Sequence, residues 1–204
     1  MAAGELRLGP LTPEVDGAMR LVRPAAEHLA SFADALQRGW SPDTLRAAVA
    51  QETLDRVRAD PEDFLRLTED PQGLGPPFAL PDGTLVARLP GIVRWMWDAE
   101  GFAGSINLRW PRDLGHLPPH VLGHVGYAVV PWKRGRGYAT RALSLLLPLA
   151  RAQGLLFLEI TTDATNLVSQ RVITRNGGLL VARFDKPVAY GGAPSLRFRI
   201  DLGV

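Results

Sequence analysis

The chain of 204 residues contains no cysteine. That excludes disulfides, thiolate metal sites and any mechanism that runs through a cysteine nucleophile. Long apolar runs are missing as well: nothing approaches the roughly 18 consecutive apolar residues of a membrane helix, and the longest leucine-rich run is cut by Pro148. Met1 to Gly9 lacks the basic start and apolar centre of a signal peptide, so the simplest expectation is a cytoplasmic protein. Charge of one sign is also scarce. With 23 Lys and Arg against 21 Asp and Glu the formal charge is +2, and bulk electrostatics give no reason to expect nucleic acid. What remains is a chain with 46% hydrophobic residues, enough for one substantial core and short for two, so a single domain over residues 1–204 is expected.

Strand and helix signals follow in a readable order. Arg20 to Arg23 is a short strand ended by Pro24, and Ala25 to Gln37 places apolar residues at helical spacing before a stop at Gly39. Asp43 to Val57 predicts a second helix, and Pro61 to Leu67 a third or its continuation. Asp70 to Pro81, with four prolines and two glycines, reads as a loop, and Asp82-Gly83 as a hairpin into Thr84 to Arg88. Val93 to Trp97 and Phe102 to Trp110 form an antiparallel pair around Asp98 to Gly101. Pro111 to Pro119 is a loop long enough to cover a site, and Val121 to Val130 reads as the central strand. Leu155 to Thr161, Leu179 to Phe184 and Leu196 to Leu202 complete the sheet. No internal repeat is present. The order predicts an α/β (α+β) fold: a mixed, mostly antiparallel central sheet with helices on both faces.

The densest chemistry lies between Tyr127 and Thr140. An apolar run stops at Pro131, a basic turn carries Gly135 and Gly137, and a helical pattern starts near Ala139. Such a loop aims backbone N–H groups and the positive end of a helix dipole at one point where an anion can sit. Gly135 and Gly137, without Cβ atoms, can take left-handed dihedrals and let a ligand oxygen approach the main chain. Lys133, Arg134, Arg136 and Arg141 supply positive charge. A nucleotide-triphosphate loop requires Lys after its last glycine, and neither glycine here has one. A dinucleotide loop requires a third glycine where Thr140 stands, and Glu159 lies inside the next strand rather than at its end.

Arg134 to Ala139 fits the pattern Arg/Gln-x-x-Gly-x-Gly/Ala and resembles the pyrophosphate loop of the GNAT superfamily of acyl-CoA N-acyltransferases. The likeness continues through a Leu-rich helix from Ala139 to Arg151 and the strand from Leu155. It then takes in Asn166-Leu-Val-Ser169, opening a short amphipathic helix that closes at Asn176-Gly177-Gly178. With Gly123-His124-Val125-Gly126-Tyr127 before the loop, the chain resembles one subfamily of predicted GNAT acetyltransferases. Gly101 to Ile200 carries the resemblance, Arg20 to Trp40 supplies the family's first strand and helix, and Ser41 to Leu89 matches loosely.

The resemblance implies direct transfer of an acetyl group from acetyl-CoA to an amine of a small molecule or protein. It implies no metal, nucleic acid or membrane, and leaves a homodimer open. It assigns the pantetheine arm to the main chain of Ala128, Val129 and Val130, with an N–H near Val129 polarising the acetyl carbonyl. Arg134, Gly135, Arg136, Gly137, Tyr138, Ala139 and Thr140 surround the pyrophosphate, and Asn166 and Ser169 bond the cofactor. Many relatives place an acidic tyrosine seven residues after the Asn; here that position is Ile173. Tyr127 is one substitute, and core aromatic its other reading. His124, titrating near neutrality, is a candidate base or else a buried structural residue. Strict alternation places His124 and Tyr127 on opposite strand faces. Asn166 caps its helix, binds the cofactor, or does both.

The remaining candidates are peripheral. Asp163 stabilises a turn or anchors an amine; His116 and His120 lie in the proline-rich loop; His28 reads as a surface residue. Trp95 and Trp97 share a strand face, as core or as a pocket wall. Pro148 predicts a bend against the Ser144 carbonyl. Acceptor pockets would come from Trp40 to Leu89 and Pro111 to His120. The missing tyrosine motivates a second class of function, a catalytically silent acyl-CoA-binding domain acting as a sensor or complex subunit.

Overall fold

A computed structural model describes residues 18–43, 48–80 and 83–203. β1 (Arg20–Val22) passes through a short 3-10 turn into α1 (Leu29–Gln37), which ends where Gly39 takes φ +86°. The helix expected from Asp43 is α2 (Val49–Ala59); residues 44–47 lie outside the described set. α3 (Pro61–Arg66) starts under an Asp60 cap, whose side chain accepts the Asp63 N–H, with Pro61 in its first turn.

The expected loop from Asp70 to Pro81 carries structure of its own. β2 (Glu69–Asp70) pairs with the later strand that starts at Gly91, and β3 (Phe78–Ala79) forms a hairpin with β4 (Leu85–Val86). The hairpin signal at Asp82 falls outside the described residues. β5 (Gly91–Asp98) and β6 (Gly101–Arg109) form the expected antiparallel pair. β7 (Val125–Val129), α4 (Tyr138–Ala152), β8 (Phe157–Asp163), α5 (Leu167–Thr174), β9 (Leu179–Asp185) and β10 (Pro194–Asp201) complete the chain. α4 continues through Pro148 as one helix.

Hydrogen bonding divides the strands into sheets. One has the order β1-β5-β6-β7 with β2 also on β5; another runs β8-β10-β9, and every pairing is antiparallel. β7 is therefore shorter than the expected Val121 to Val130 strand, and it is an edge rather than a centre. The reason lies in residues 122–124, whose backbone and ring groups turn partly toward β8.

Two cores cover the two faces. On one, Ala142, Leu143, Leu146 and Ala150 of α4 and Ile173 of α5 pack on Ile106, Leu108, Leu158 and Phe198. On the other, Phe32, Leu36 and Trp40 meet Leu54 and Val57 over Trp95 and Phe102. Helices thus lie on both faces. Trp95 is core, stacked on Phe32 at 4.3 Å between ring centroids. Trp97 packs at the margin of the same core, where it holds the ring of His28 at 4.5 Å. His28 is half-buried there, so the expectation of a surface residue is corrected: the aromatic wall draws its ring inward.

Candidate active site

β7 and β8 run side by side and touch at one end only. The His124 N–H donates to the Glu159 carbonyl at 2.8 Å, and the Glu159 N–H donates to His124 Nδ1 at 2.9 Å. The Thr161 hydroxyl donates to the Leu122 carbonyl at 2.5 Å. A side chain at Gly123 would place Cβ 3.0 Å from the Glu159 oxygen, so a larger residue there would push the strands apart by a few tenths of an ångström. Beyond this clasp, no backbone hydrogen bond joins β7 to β8 among the described residues. The facing edges of β7 and β8 are thus left unpaired past the clasp, and this unpaired stretch is where the expected wedge falls.

The β6–β7 ladder decides which groups face that wedge. The Arg109 N–H donates to His124 at 2.9 Å, and the Val130 N–H donates to Ala103 at 3.0 Å. Antiparallel bonding alternates, so Gly126 and Ala128 also turn their N–H and C=O toward β6, whereas Tyr127 and Val129 turn theirs outward. Of the expected trio Ala128, Val129 and Val130, only Val129 offers main-chain groups to the wedge, and Tyr127 joins it. Sequence reading missed Gly104. It has φ +147°, and a Cβ there would lie 2.9 Å from Val129 Cα and inside contact distance of the Ala128 carbonyl. The β5–β6 register slips between Met96 and Trp97, so Gly104 sits at a bulge that lets β6 press against β7 beneath Val129. A lone glycine inside a strand pattern was the available signal.

The loop after β7 opens on empty space. Gly135 and Gly137 take φ +80° and +77°, and a Cβ added to either would meet no atom within 4 Å. α4 begins at Tyr138 with no side-chain cap, leaving the first-turn N–H groups of Tyr138, Ala139 and Thr140 without helical acceptors. Arg134 is exposed and bonds back to the Val129 carbonyl at 3.3 Å; Arg136 is half-exposed, 3.8 Å from Glu100. The other two basic residues turn away. Arg141 donates to the Met19 carbonyl at 2.6 Å, and Lys133, only 3% exposed, pairs with Asp98 at 2.6 Å.

Asp98 is the residue that organises this loop. Its Oδ1 also accepts the Glu100 N–H at 2.8 Å, and its Oδ2 accepts the Tyr138 hydroxyl at 2.9 Å. Burial pushes the Asp98 carboxyl pKa up, but the bonds from Lys133, Tyr138 and Glu100 outweigh it and hold the value below the ordinary one. Both ends of the basic loop are thereby tied to the β5–β6 turn. Nothing in the sequence pattern announced this, because Asp98 reads as a turn residue and its partners lie 35 and 40 positions away.

Tyr127, Asn166 and Ser169 come together where β7 meets the start of α5. The Tyr127 and Ser169 hydroxyls lie 2.7 Å apart, and Asn166 Oδ1 accepts the Ser169 N–H at 3.0 Å as the cap of α5. Burial raises the Tyr127 pKa while the Ser169 bond pulls it down, and the net is upward, so the phenol stays protonated near neutrality. Ile173 is fully buried one turn beyond Ser169 on the same helix face. A phenol thus reaches α5 from β7, one helical turn before Ile173.

His124 sits at the clasp, 1% exposed, and burial lowers its pKa despite the opposing Glu159 bond. Its Nδ1 is an acceptor for the backbone, so the neutral ring carries its proton on Nε2. Asp163 is engaged by Lys186, and its carbonyl accepts the Asn166 N–H at 3.0 Å. His116 is exposed, and the His120 carbonyl accepts the Tyr190 hydroxyl at 2.9 Å. On the α1/α2 face of the sheet a cleft of about 260 Å³ is lined by Thr68, Asp70, Arg88, Asn107, Arg109 and Val121, among others. Of the two segments expected to build an acceptor pocket, Trp40 to Leu89 contributes to it, whereas Pro111 to His120 supplies none of its lining.

Comparison with known proteins fits this geometry. A family model described as the acetyltransferase (GNAT) domain matches residues 18–178. The chain belongs to the GNAT acetyltransferases. This GNAT chain, an acyl-CoA N-acyltransferase by family, shares its fold with solved members at low identity. One is RimL, the ribosomal L7/L12 α-N-protein acetyltransferase, in complex with coenzyme A; it is 13% identical, with 90% of this chain and 93% of that one covered and a TM-score of 0.59. Another is the microcin C7 self-immunity acetyltransferase MccE, in complex with acetyl-CoA and AMP, 12% identical over 90% and 92% of the two chains with a TM-score of 0.56. A third is yncA from Salmonella typhimurium with its cofactor acetyl-CoA, 15% identical over 91% and 94% with a TM-score of 0.55. A search of curated protein sequences finds no match. Among the described residues, no helix of this GNAT chain is long and apolar enough to cross a membrane.

Proposed function

We propose that this GNAT protein is an acetyl-CoA-dependent N-acetyltransferase that acylates a primary amine directly, without an acyl-enzyme. The observation that carries this reading is the loss of pairing between β7 and β8 beyond the His124–Glu159 clasp, next to a loop whose glycines face open space. These features fit coenzyme A: an uncapped helix start and Arg134 for a pyrophosphate, and outward main-chain groups on β7 for an extended amide arm. Bound there, acetyl-CoA supplies an activated acyl thioester.

The chain's own residues divide the work. The first-turn N–H groups of α4 and the Arg134 guanidinium hold anionic oxygens, with Asp98 fixing the loop that presents them. The outward N–H groups of Tyr127 and Val129 point where negative charge develops on the acetyl oxygen; one such donor is worth about 3–4 kcal/mol in comparable sites. The Tyr127 hydroxyl, protonated at neutral pH, donates toward the departing sulfur. Asn166 orders the start of α5 and leaves its amide nitrogen free for the ligand. His124 keeps β7 and β8 together where the wedge begins, a positioning role consistent with its occupied Nδ1. The acceptor amine enters deprotonated and releases its proton to water. RimL, by its description, acts on a protein α-amine, and the present acceptor is an amine of a protein or a small molecule.

Thiol release from acetyl-CoA, followed across a panel of amines, tests this reading. Turnover above the uncatalysed background with at least one amine is expected, weakened by Arg134→Ala and Gly137→Val. Tight acetyl-CoA binding with no thiol release from any amine would overturn it and favour the silent acyl-CoA-binding class.

A further inference from the structure

Arg109 is a partly buried cation without a counter-ion among the described residues. Its guanidinium donates to Asn107 Oδ1 at 2.8 Å, a neutral partner, and burial draws its pKa below the ordinary guanidinium value, against the smaller pull of Tyr190. None of the ion pairs among the described residues includes Arg109 or Arg88. Arg88 lines the same cleft, and its Nε is buried with no hydrogen-bond partner. The acidic group there is Asp70. Its two carboxylate oxygens accept the Leu74 and Gly75 N–H groups at 2.8 Å each, and its charge acts on Arg88. The cleft therefore holds two guanidinium groups against one carboxylate already bound by its own loop. An unpaired buried charge is costly, and a planar fork of donors is matched by a carboxylate.

Position connects this cleft to the wedge. A Cβ at Gly126 would lie 3.3 Å from the Arg109 guanidinium and 3.1 Å from the Asn107 amide, so the cation lies directly over β7 at Gly126. Gly126 precedes Tyr127, whose N–H faces the wedge, and lies three residues before Val129. At about 3.3 Å per residue these groups are roughly 3 to 10 Å from the cation along the strand. Gly126 and Ala128 present the α1/α2 face, whereas α4, from Tyr138 and Ala139 onward, packs on the other. An acceptor entering from the α1/α2 side would bring its amine to the wedge and its tail over Arg109. Leu67, Leu89 and Val93 give that path an apolar wall.

We propose that the acceptor is an amine bearing a carboxylate several bonds away, with the carboxylate seated on Arg109 and Arg88 and an aliphatic linker along the cleft wall. This rests on the acetyltransferase reading for the role of the amine, and its test rests on binding. The compounds are 6-aminohexanoate and 6-aminohexanamide, 4-aminobutyrate and 4-aminobutanamide, and 3-aminopropylphosphonate, titrated calorimetrically into the CoA-saturated protein. At least one carboxylate is expected to bind tenfold or more tightly than its amide. Arg109→Gln should erase that preference, Arg88→Gln should reduce it, and retained CoA affinity verifies that the variants are folded. Equal affinity within both pairs, no binding by any compound, tighter binding of the phosphonate, or a preference that survives Arg109→Gln would each overturn the proposal. The two readings fail separately. Thiol release with neutral amines and no carboxylate preference removes this inference alone, whereas carboxylate-selective binding without thiol release supports it and removes the acetyltransferase reading.

Discussion

Tyr127 joins the main chain of the wedge to the chemistry of the leaving group. Its backbone N–H faces the thioester position while its hydroxyl reaches Ser169 on α5. Tyr127→Phe keeps the ring and removes the proton, so kcat should fall about 100-fold or more while KM for acetyl-CoA changes by less than about 3-fold, measured by steady-state thiol release. The Tyr127 pKa lies above the ordinary 10.0, so the phenol is a proton donor throughout the neutral range. The rate should then fall at high pH, as the phenol ionises above 10, and that alkaline limb should vanish in Tyr127→Phe. The two glycine classes separate by their surroundings. Gly135→Ala meets open space and carries only the strain of φ +80°, so stability should drop by about 1–2 kcal/mol while coenzyme A affinity falls more steeply. Gly104→Ala instead drives a methyl into the β7 backbone and should cost about 1–3 kcal/mol as it displaces Val129. Urea denaturation with coenzyme A titration checks both.

At the scale of elements, the basic loop depends on a buried ion pair formed across the sheet. Asp98 and Lys133 are 5% and 3% exposed, so Asp98→Ala leaves the buried ammonium with only the exposed Glu100 carboxylate at 3.6 Å and should destabilise the fold by about 3 kcal/mol by urea denaturation. The double change Asp98→Leu with Lys133→Met should recover much of that loss, because the uncompensated charge is gone. Sign follows from the pKa: the folded value lies below the ordinary 3.8, so the contribution is present above about pH 4 and is lost as pH falls through the folded value. Local signals made much of this scale legible. The strand, glycine turn and helix start around Gly135 and Gly137, the Asn166 cap, and the β5–β6 hairpin are set by neighbours in sequence. The length of β7 was not, because Leu122 to His124 carry strand-like residues whose hydrogen bonds are claimed by β8. Asp98 was equally hidden, since a turn aspartate looks the same whether or not a lysine 35 residues away folds onto it.

For the whole molecule, coenzyme A binding should stabilise the folded chain by mass action. At about 100 times Kd the gain is about 2.7 kcal/mol, which for a chain of this size raises Tm by roughly 5–10 °C. NAD and ATP at equal concentration should give no comparable shift, and Arg134→Ala should reduce the shift from coenzyme A. The sequence by itself determined that one chain without thiol chemistry carries a glycine-turned anion loop, a capped α5 and helices for both sheet faces. These depend on residue type and on spacings of a few positions. Tertiary structure alone decided that β7 is an edge, that Tyr127 rather than Ala128 faces the wedge, and that Asp98 holds the loop. It also decided that Arg109 lies over Gly126. Each of these depends on which distant strand or side chain occupies the neighbouring space, and hydrogen-bond register and burial set that only when the whole chain has folded.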